Sequence, residues 1–448
     1  MAFSSSVTLP LICPKGKIGF SSNNYCMLGK LSSRSCASSF NRRDLRTARA
    51  TAMTAIEAVP KQESSPWLML PPEIEAGKTS YKLYSLADDK VETLCPSDEI
   101  RDLRLTCRGS SHGWLALLSQ HDDGFFLYNP ISRRHIKLPS ILNLPTYLCY
   151  HYKGILSSPL SVKKVILSCS PDEDEDNCRV VIVRDCGNQL AFCCPGRSKD
   201  WTLMFDENRD SYKDCVYSTK LKLFFVINFN IYGRRLETWD LGDISSPKLI
   251  KVDEFNYFTT IQSFLPYECL RIEKFLRRKC VHIKHLVVVD EDLLLVIQYI
   301  MFGVGPDGSH YEQLDERRPD RCGYMTIGFD IFKYDDSEIG NFKYLDRSSL
   351  GDLAIFVGKH SHSVAIQATQ FPGVKPNSIY FTDGCYTGSL EGDESDDEYD
   401  HDHFCGGGGH DIGIYNYQDK TVSPCCYYPC DVQSLKTILP APIWFFPN

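Results

Sequence analysis

No Cys-x-x-Cys pair occurs in this chain, although 20 of its 448 residues are cysteine. Zinc ribbons and thioredoxin-like centres depend on that spacing, so both lose their signature. Cys193-Cys194 and Cys425-Cys426 are adjacent pairs, which strand alternation sends to opposite faces. The cysteines are therefore expected as reduced, mostly buried thiols that pack as small hydrophobes. No run reaches the ~18 uninterrupted apolar residues of a membrane span. The nearest, Leu286–Val289 and Leu293–Met301, is split by Asp290-Glu291-Asp292 and fits a strand pair. There is no excess of positive charge either. A formal net charge of -8 disfavours a general nucleic-acid binder, which must displace counterions from phosphates. His-Glu-x-x-His, Gly-x-Ser-x-Gly and the protein-kinase motif set are all missing. His112, His121, His135 and His151 have no nucleophile at a useful spacing and are expected at the surface or in packing. No catalytic, cofactor-binding or metal-binding residue is assigned.

Acidic residues are also missing from the opening, where the first is Asp44. Serine is dense there, and Arg34, Arg42, Arg43, Arg46 and Arg49 supply positive charge. That composition predicts an organellar transit segment over residues 1–58, outside the fold. The nearly uncharged first residues suit a plastid and the later arginines a mitochondrion, so either organelle is expected.

What is present is organised around Cys107–Ile141. Gly113–Leu118 is a short apolar run, Asp122-Asp123-Gly124 a hairpin turn, and Phe125–Tyr128 the returning strand. Asn129-Pro130 breaks that strand, because proline has no N–H for the ladder. Ile136–Pro139 begins another after a turn at Ser132–Arg134. Further strands are predicted at Tyr81–Leu86, Val165–Ser168, Arg179–Arg184, Gln189–Cys194, Leu223–Phe229, Leu236–Leu241, Thr326–Tyr334, Leu353–Val357, Ser363–Ala368, Ser378–Phe381 and Ile412–Tyr417. One departure is Tyr267–Lys279, where Cys269, Ile272, Phe275 and Leu276 recur at helical spacing beside basic residues. The aromatic, proline-flanked tail Pro440–Pro447 is expected to be packed down.

Four segments repeat one form: strand, aromatic with Asp or Asn, polar turn, strand. They begin at Leu127, Glu237, Phe329 and Ile412. Such hairpins suit the outer strands of propeller blades. At ~40–50 residues per blade, residues 59–448 would hold about seven kelch-like blades in an all-β ring. A pair of β-sandwiches is the alternative; evenly spread strands and the lack of a clear linker favour the ring.

Gly303-Val304-Gly305-Pro306-Asp307-Gly308 matches the dinucleotide fingerprint by letters, but no amphipathic helix follows. Gly77-Lys78-Thr79 lacks the glycine five positions earlier that a phosphate loop needs, and a strand follows it. The acidic stretch near 391–411, with His401, His403 and His410, has no EF-hand spacing and is expected as a solvated loop between strands.

Taken in order, several short matches resemble the plant KIB-type β-propeller family. They include Pro66-Trp67-Leu68, Gly113-Trp114-Leu115, Leu127-Tyr128-Asn129-Pro130 and Leu190-Ala191-Phe192 with Trp201. Leu293–Val296, Leu350-Gly351-Asp352, Phe356-Val357-Gly358, Ile379-Tyr380-Phe381 and Gly413–Asn416 complete the set. Many members carry an F-box before the propeller and are read as ubiquitin-ligase substrate adaptors; some propellers restrain a protein kinase. Leu70-Pro71-Pro72-Glu73-Ile74 mimics an F-box opening, but a strand follows too soon for its helices. The resemblance is thus to the organellar, F-box-less branch. It implies a non-catalytic, monomeric protein-interaction module with no cofactor, an unknown protein partner (a kinase is one candidate) and no nucleic-acid role. The alternatives are an F-box-like adaptor, or an enzyme with ionisable residues converging at a propeller mouth.

Overall fold

The structure, a computed structural model, describes residues 65–447 except 72, 76–77, 95–104, 120–123, 145–161, 185–188, 205–210, 231–232, 256–279, 303–323, 338–340, 347–349, 385–410 and 426–440. The transit segment, the helix at Tyr267–Lys279, the glycine-rich match at 303–308 and nearly all of the acidic stretch lie outside the described residues.

Among the described residues the strands form six sheets. Blade 1 takes β1 (Trp67–Met69), β3 (Lys78–Ser85) and β4 (Lys90–Leu94), with β2 (Glu73–Glu75) added alongside β3. Lys78 and Thr79 thus lie in a strand, not in a phosphate loop. Blade 2 is β5 (Leu105–Ser111), β6 (Trp114–Ser119), β7 (Phe125–Tyr128) and β8 (His135–Leu138). Blade 3 is β9 (Val162–Leu167), β10 (Val180–Arg184), β11 (Gln189–Cys193) and β12 (Thr202–Met204). Blade 4 is β13 (Ser211–Ser218), β14 (Leu223–Asn230), β15 (Gly233–Asp240) and β16 (Lys248–Glu254). Blade 5 is β17 (Cys280–Val289), β18 (Asp292–Phe302), β19 (Tyr324–Asp335) and β20 (Asn341–Tyr344). Blade 6 has five strands: β21 (Leu353–Val357), β22 (Val364–Gln367), β23 (Ser378–Phe381), β24 (Gly413–Asn416) and β25 (Thr421–Pro424). In blade 6, β21 is inserted between β22 and β23 and runs parallel to β23.

The position of a strand within its blade explains its composition. Second strands lie between neighbouring strands and neighbouring blades, so both faces are covered and the sequence is a continuous apolar run. Trp-Leu-Ala-Leu-Leu-Ser in β6 and Val-Val-Ile-Val-Arg in β10 are buried throughout. Their alternate residues serve opposite cores. Trp114, Ala116 and Leu118 pack toward blade 3, with Ile182, Ala191 and Trp201. Leu115 and Leu117 pack toward blade 1, with Leu83, Ile443 and Phe445. Four more cores lie between blades 3 and 4, 4 and 5, 5 and 6, and 6 and 1. Outermost strands face water; β16 is exposed at every position but Asp253.

The ring is closed by β26 (Ile443–Phe445), which pairs antiparallel with β1, Trp444 opposite Leu68. Blade 1 is therefore built from both ends of the propeller, and the aromatic tail is packed down as its composition predicts. Trp444 is fully buried and meets Phe356 edge-on at 5.1 Å.

All four repeated hairpins fall on outer strand pairs: β7–β8, β15–β16, β19–β20 and β24–β25. The expected count of about seven blades is corrected to six. Blades 4, 5 and 6 follow one another directly, so no blade lies hidden between their matching hairpins. The extra spacing is taken up by the segments 256–279, 303–323 and 385–410, which a uniform blade length does not allow for. Six inter-blade cores around one ring also dispose of the paired-sandwich alternative.

Candidate functional site

Ligand sites of propellers lie where the inner strands converge, and here the convergence is polar. The inner strands of blades 2 to 5 carry Ser110, Ser111, Lys164, Asp214 and His285, each buried. Polar residues survive there because inner strands turn one side toward the axis, where they meet each other and not an apolar core.

Blade 6 supplies the piece that joins them. Between β21 and β22 the chain crosses to blade 2, where Ser361 bridges Ser110 in parallel. Ser110 N–H donates to the His360 carbonyl at 3.1 Å, and His362 N–H donates to the Ser110 carbonyl at 2.8 Å. His360 Nδ1 lies 3.0 Å from the Lys163 carbonyl in blade 3. Trp444 N–H in blade 1 donates to Ser361 Oγ at 2.9 Å. One short segment thus bonds to blades 1, 2 and 3 from the opposite side of the closure. Gly358 is required at its start, because a Cβ there would collide with Thr382 Oγ1.

Beside it, Lys164 Nζ lies 2.5 Å from Asp214 Oδ1, with side chains only 3% and 1% exposed. Lys164 also reaches Ser363 Oγ at 3.4 Å. Asp214 Oδ2 accepts the Leu286 N–H of blade 5 at 2.7 Å, and Oδ1 accepts the Cys215 N–H at 2.8 Å. A relay follows: His285 Nε2 is 3.1 Å from Gln298 Oε1, and Gln298 Nε2 donates to Thr326 Oγ1 at 2.7 Å. Thr326 Oγ1 in turn donates to Asp411 Oδ2 at 2.6 Å.

The histidines are held neutral. Burial pushes His285 down to about 4, with the nearby Lys164 ammonium acting the same way. Burial lowers His112 to about 4 as well, and it lowers His362 with help from His112 and Lys164. The rings of His112 and His362 lie tilted to each other with centroids 5.3 Å apart. His112 sits in the two-residue turn between β5 and β6, at φ 47, followed by Gly113 at φ 73. That is the hairpin geometry that needs positive φ twice. His112 is half-buried in that turn and His135 is half-buried at the start of β8, whereas His121 and His151 lie outside the described residues.

Sequence reasoning missed this cluster. Lys164, Asp214, His285, His360 and His362 come from four blades and share no motif; the one available signal was polar residues interrupting strands that otherwise read as buried. No group of three or more His, Cys, Asp or Glu side chains able to hold a metal occurs among the described residues. No helix among them is long and apolar enough to cross a membrane.

The family model described as KIB1-4 beta-propeller matches residues 83–416 of this chain. The chain belongs to the KIB1-4 β-propeller family. An F-box/kelch-repeat protein of Arabidopsis thaliana is 27% identical over 193 residues, covering 42% of this chain and 49% of that one. The chain thus spans about half the length of the curated relative it matches. Among solved structures, TolB from Acinetobacter baumannii aligns with 86% of this chain and 68% of its own at 11% identity and a TM-score of 0.35. The Cps50 (Swd1) β-propeller domain of Myceliophteria thermophila aligns with 63% of this chain and 89% of its own at 9% identity and a TM-score of 0.29. Neither structural likeness is close enough to bear on function. For this KIB1-4 propeller the described part of the hub is an ionic and hydrogen-bonded core.

Proposed function

We propose that this protein is a non-catalytic interaction module that binds a protein partner through its rim loops, inside a mitochondrion or plastid. The observation that carries the reading is the segment around His360–Ser363, which bonds to blades 1, 2 and 3 and ties their inner strands together with the protein's own chain. The hub does bring ionisable groups together and shift three histidines, as an enzyme would require. Lys164 and Asp214, however, are bonded to each other across blades and are too buried to meet a substrate. Function then falls to loops, which rigid scaffolds commonly display for binding. The acid-poor, arginine-bearing leader supports the organellar address.

The adaptor reading draws on the F-box/kelch-repeat relative. Against it, β1, β2 and β3 occupy the stretch where F-box helices would need to form. A single experiment separates the two. Residues 1–65 fused to a fluorescent protein should enter an organelle, and the full chain cross-linked within that organelle should join a partner through rim-loop peptides. Cytosolic fluorescence, or binding to the ligase's linker subunit, would reject the module reading.

A further inference from the structure

Two cysteines of blade 3 face each other where β9 turns into β10. Val180 pairs with Leu167 across these strands, and Ser168 N–H donates to the Arg179 carbonyl at 2.9 Å. The next opposed pair is Cys169 and Cys178. It occupies a non-hydrogen-bonded position, since the Cys178 N–H donates to the Glu175 carbonyl at 3.3 Å. Antiparallel neighbours at such positions have Cα atoms ~4.5 Å apart, inside the range a disulfide spans. The two side chains lie together: Cys178 Sγ–H donates to the Cys169 carbonyl at 3.4 Å, and Cys169 Sγ–H donates to the Asp174 carbonyl at 3.5 Å. Both are reduced.

The pair is asymmetric. Cys169 is half-buried, whereas Cys178 is fully buried. The Cys178 thiol beside it draws the Cys169 thiol below its ordinary range, and Ser168 Oγ–H donates to Cys169 Sγ at 3.8 Å. That favours a thiolate at the accessible sulfur, with a second sulfur waiting behind it. Other described cysteines lack one half of this arrangement. Cys107, Cys193, Cys194, Cys215 and Cys425 are buried. Cys280 is half-buried, and no second described cysteine stands opposite it in the register of β17 and β18.

We infer that Cys169 and Cys178 form a peroxide-responsive dithiol, Cys169 being the attacking sulfur and Cys178 the resolving one. In the first step the Cys169 thiolate attacks one peroxide oxygen, the O–O bond breaks, and the departing hydroxide takes a proton to become water. Cys169 is then a sulfenic acid. In the second step Cys178 sulfur attacks Cys169 sulfur, expels the hydroxyl as water and gives up its own thiol proton. Two thiols and one hydrogen peroxide become one disulfide and two waters. The oxidant class follows from the loop between the cysteines, which carries Asp172, Glu173, Asp174, Glu175 and Asp176. Arg134 pairs with Asp172 and Glu175, and Arg197 with Asp176, but the loop stays net negative, which disfavours anionic glutathione disulfide and not neutral peroxide.

The bond would tie the neck of a loop that fastens three blades. Ser170 Oγ accepts Trp114 Nε1–H of blade 2 at 3.1 Å, and Asp172 accepts Asn129 Nδ2–H at 2.7 Å. Arg179, just past Cys178, donates to the carbonyls of Leu241 and Gly242 in blade 4 at 2.9 and 3.1 Å.

The test uses the full, reduced chain exposed to equimolar hydrogen peroxide, then denatured, alkylated and digested with trypsin. Cleavage after Lys164 and Arg179 places both cysteines on one peptide, Val165–Arg179. That peptide should come out lighter by two hydrogens and refuse alkylation until a reductant is added. Cys178→Ser should instead leave a sulfenic acid at Cys169 that dimedone traps, and Cys169→Ser should leave Cys178 unoxidised. Alkylation of both cysteines after peroxide would overturn the inference. So would a glutathione adduct at Cys169 forming in preference to the internal bond, or dimedone labelling spread equally over other cysteines.

Discussion

Consider removal of either end of the buried ion pair at the hub. Lys164→Met keeps the length of the side chain and deletes the charge. Asp214 then remains as a buried carboxylate with only the amides of Leu286 and Cys215 to hold it. Breaking a buried pair from one side costs about 3–5 kcal/mol, because the remaining charge is uncompensated. The two retained N–H bonds place Lys164→Met near the lower end, at about 3 kcal/mol. Asp214→Ala should cost more, about 5 kcal/mol, since it strands the ammonium with Ser363 Oγ and also orphans the Leu286 N–H, itself worth roughly 1–3 kcal/mol. Lys164→Met combined with Asp214→Ala should cost less than the sum, with a coupling of roughly 2 kcal/mol. Equilibrium urea unfolding of the full chain near neutral pH, followed by tryptophan fluorescence and checked by refolding, measures all three. Added salt should change little, because buried pairs are poorly screened. Single variants that each lose under about 1 kcal/mol and add without coupling would refute the claim that this pair binds blades 3, 4 and 5 together.

Trp444→Ala removes the fully buried ring that meets Phe356 and Tyr380 across the closure, and should cost about 3–5 kcal/mol. Thermal melting together with early proteolysis in blade 1 would register it; an unchanged melt would show that β26 does not hold the ring. His285 has its folded pKa near 4, below the unfolded value of about 6.5, so the unfolded chain binds the extra proton between those limits. Stability should therefore be full above about pH 6.5 and fall toward pH 4 by about 3 kcal/mol from this group. His285 faces Gln298, Lys164 and Asp214. His112 and His362 act in the same sense, so His285→Gln should make the fall of the urea midpoint across that window shallower without abolishing it; an equally steep profile in the variant would assign the loss to other groups.

The second strands and the outer hairpins were legible in the sequence because their patterns follow directly from burial. Val180–Val183 and Leu293–Ile297 are covered on both sides and read as apolar runs. The hairpin at Phe329–Leu345 reads as aromatic strands around a polar turn. Inner strands were harder. Cys107–Ser111 and Cys280–His285 turn polar side chains to the axis, so half of each strand resembles loop. The hub was not legible at all. Lys164 meets Asp214 only because two blades are neighbours in the ring, and Ser361 meets Ser110 across 251 positions of chain. Neither pairing leaves a trace in local spacing. Blade number failed for a related reason: long segments between strands inflate length without adding a sheet.

The pairing of β1 with β26 also bears on when the protein can fold. A ribosome delivers Trp67–Met69 long before Ile443–Phe445. Until β26 emerges, β1 lacks its inner neighbour and the apolar face toward Phe356 and Tyr380 lacks Trp444. Ring closure thus has to wait for β26, long after β1 has been made.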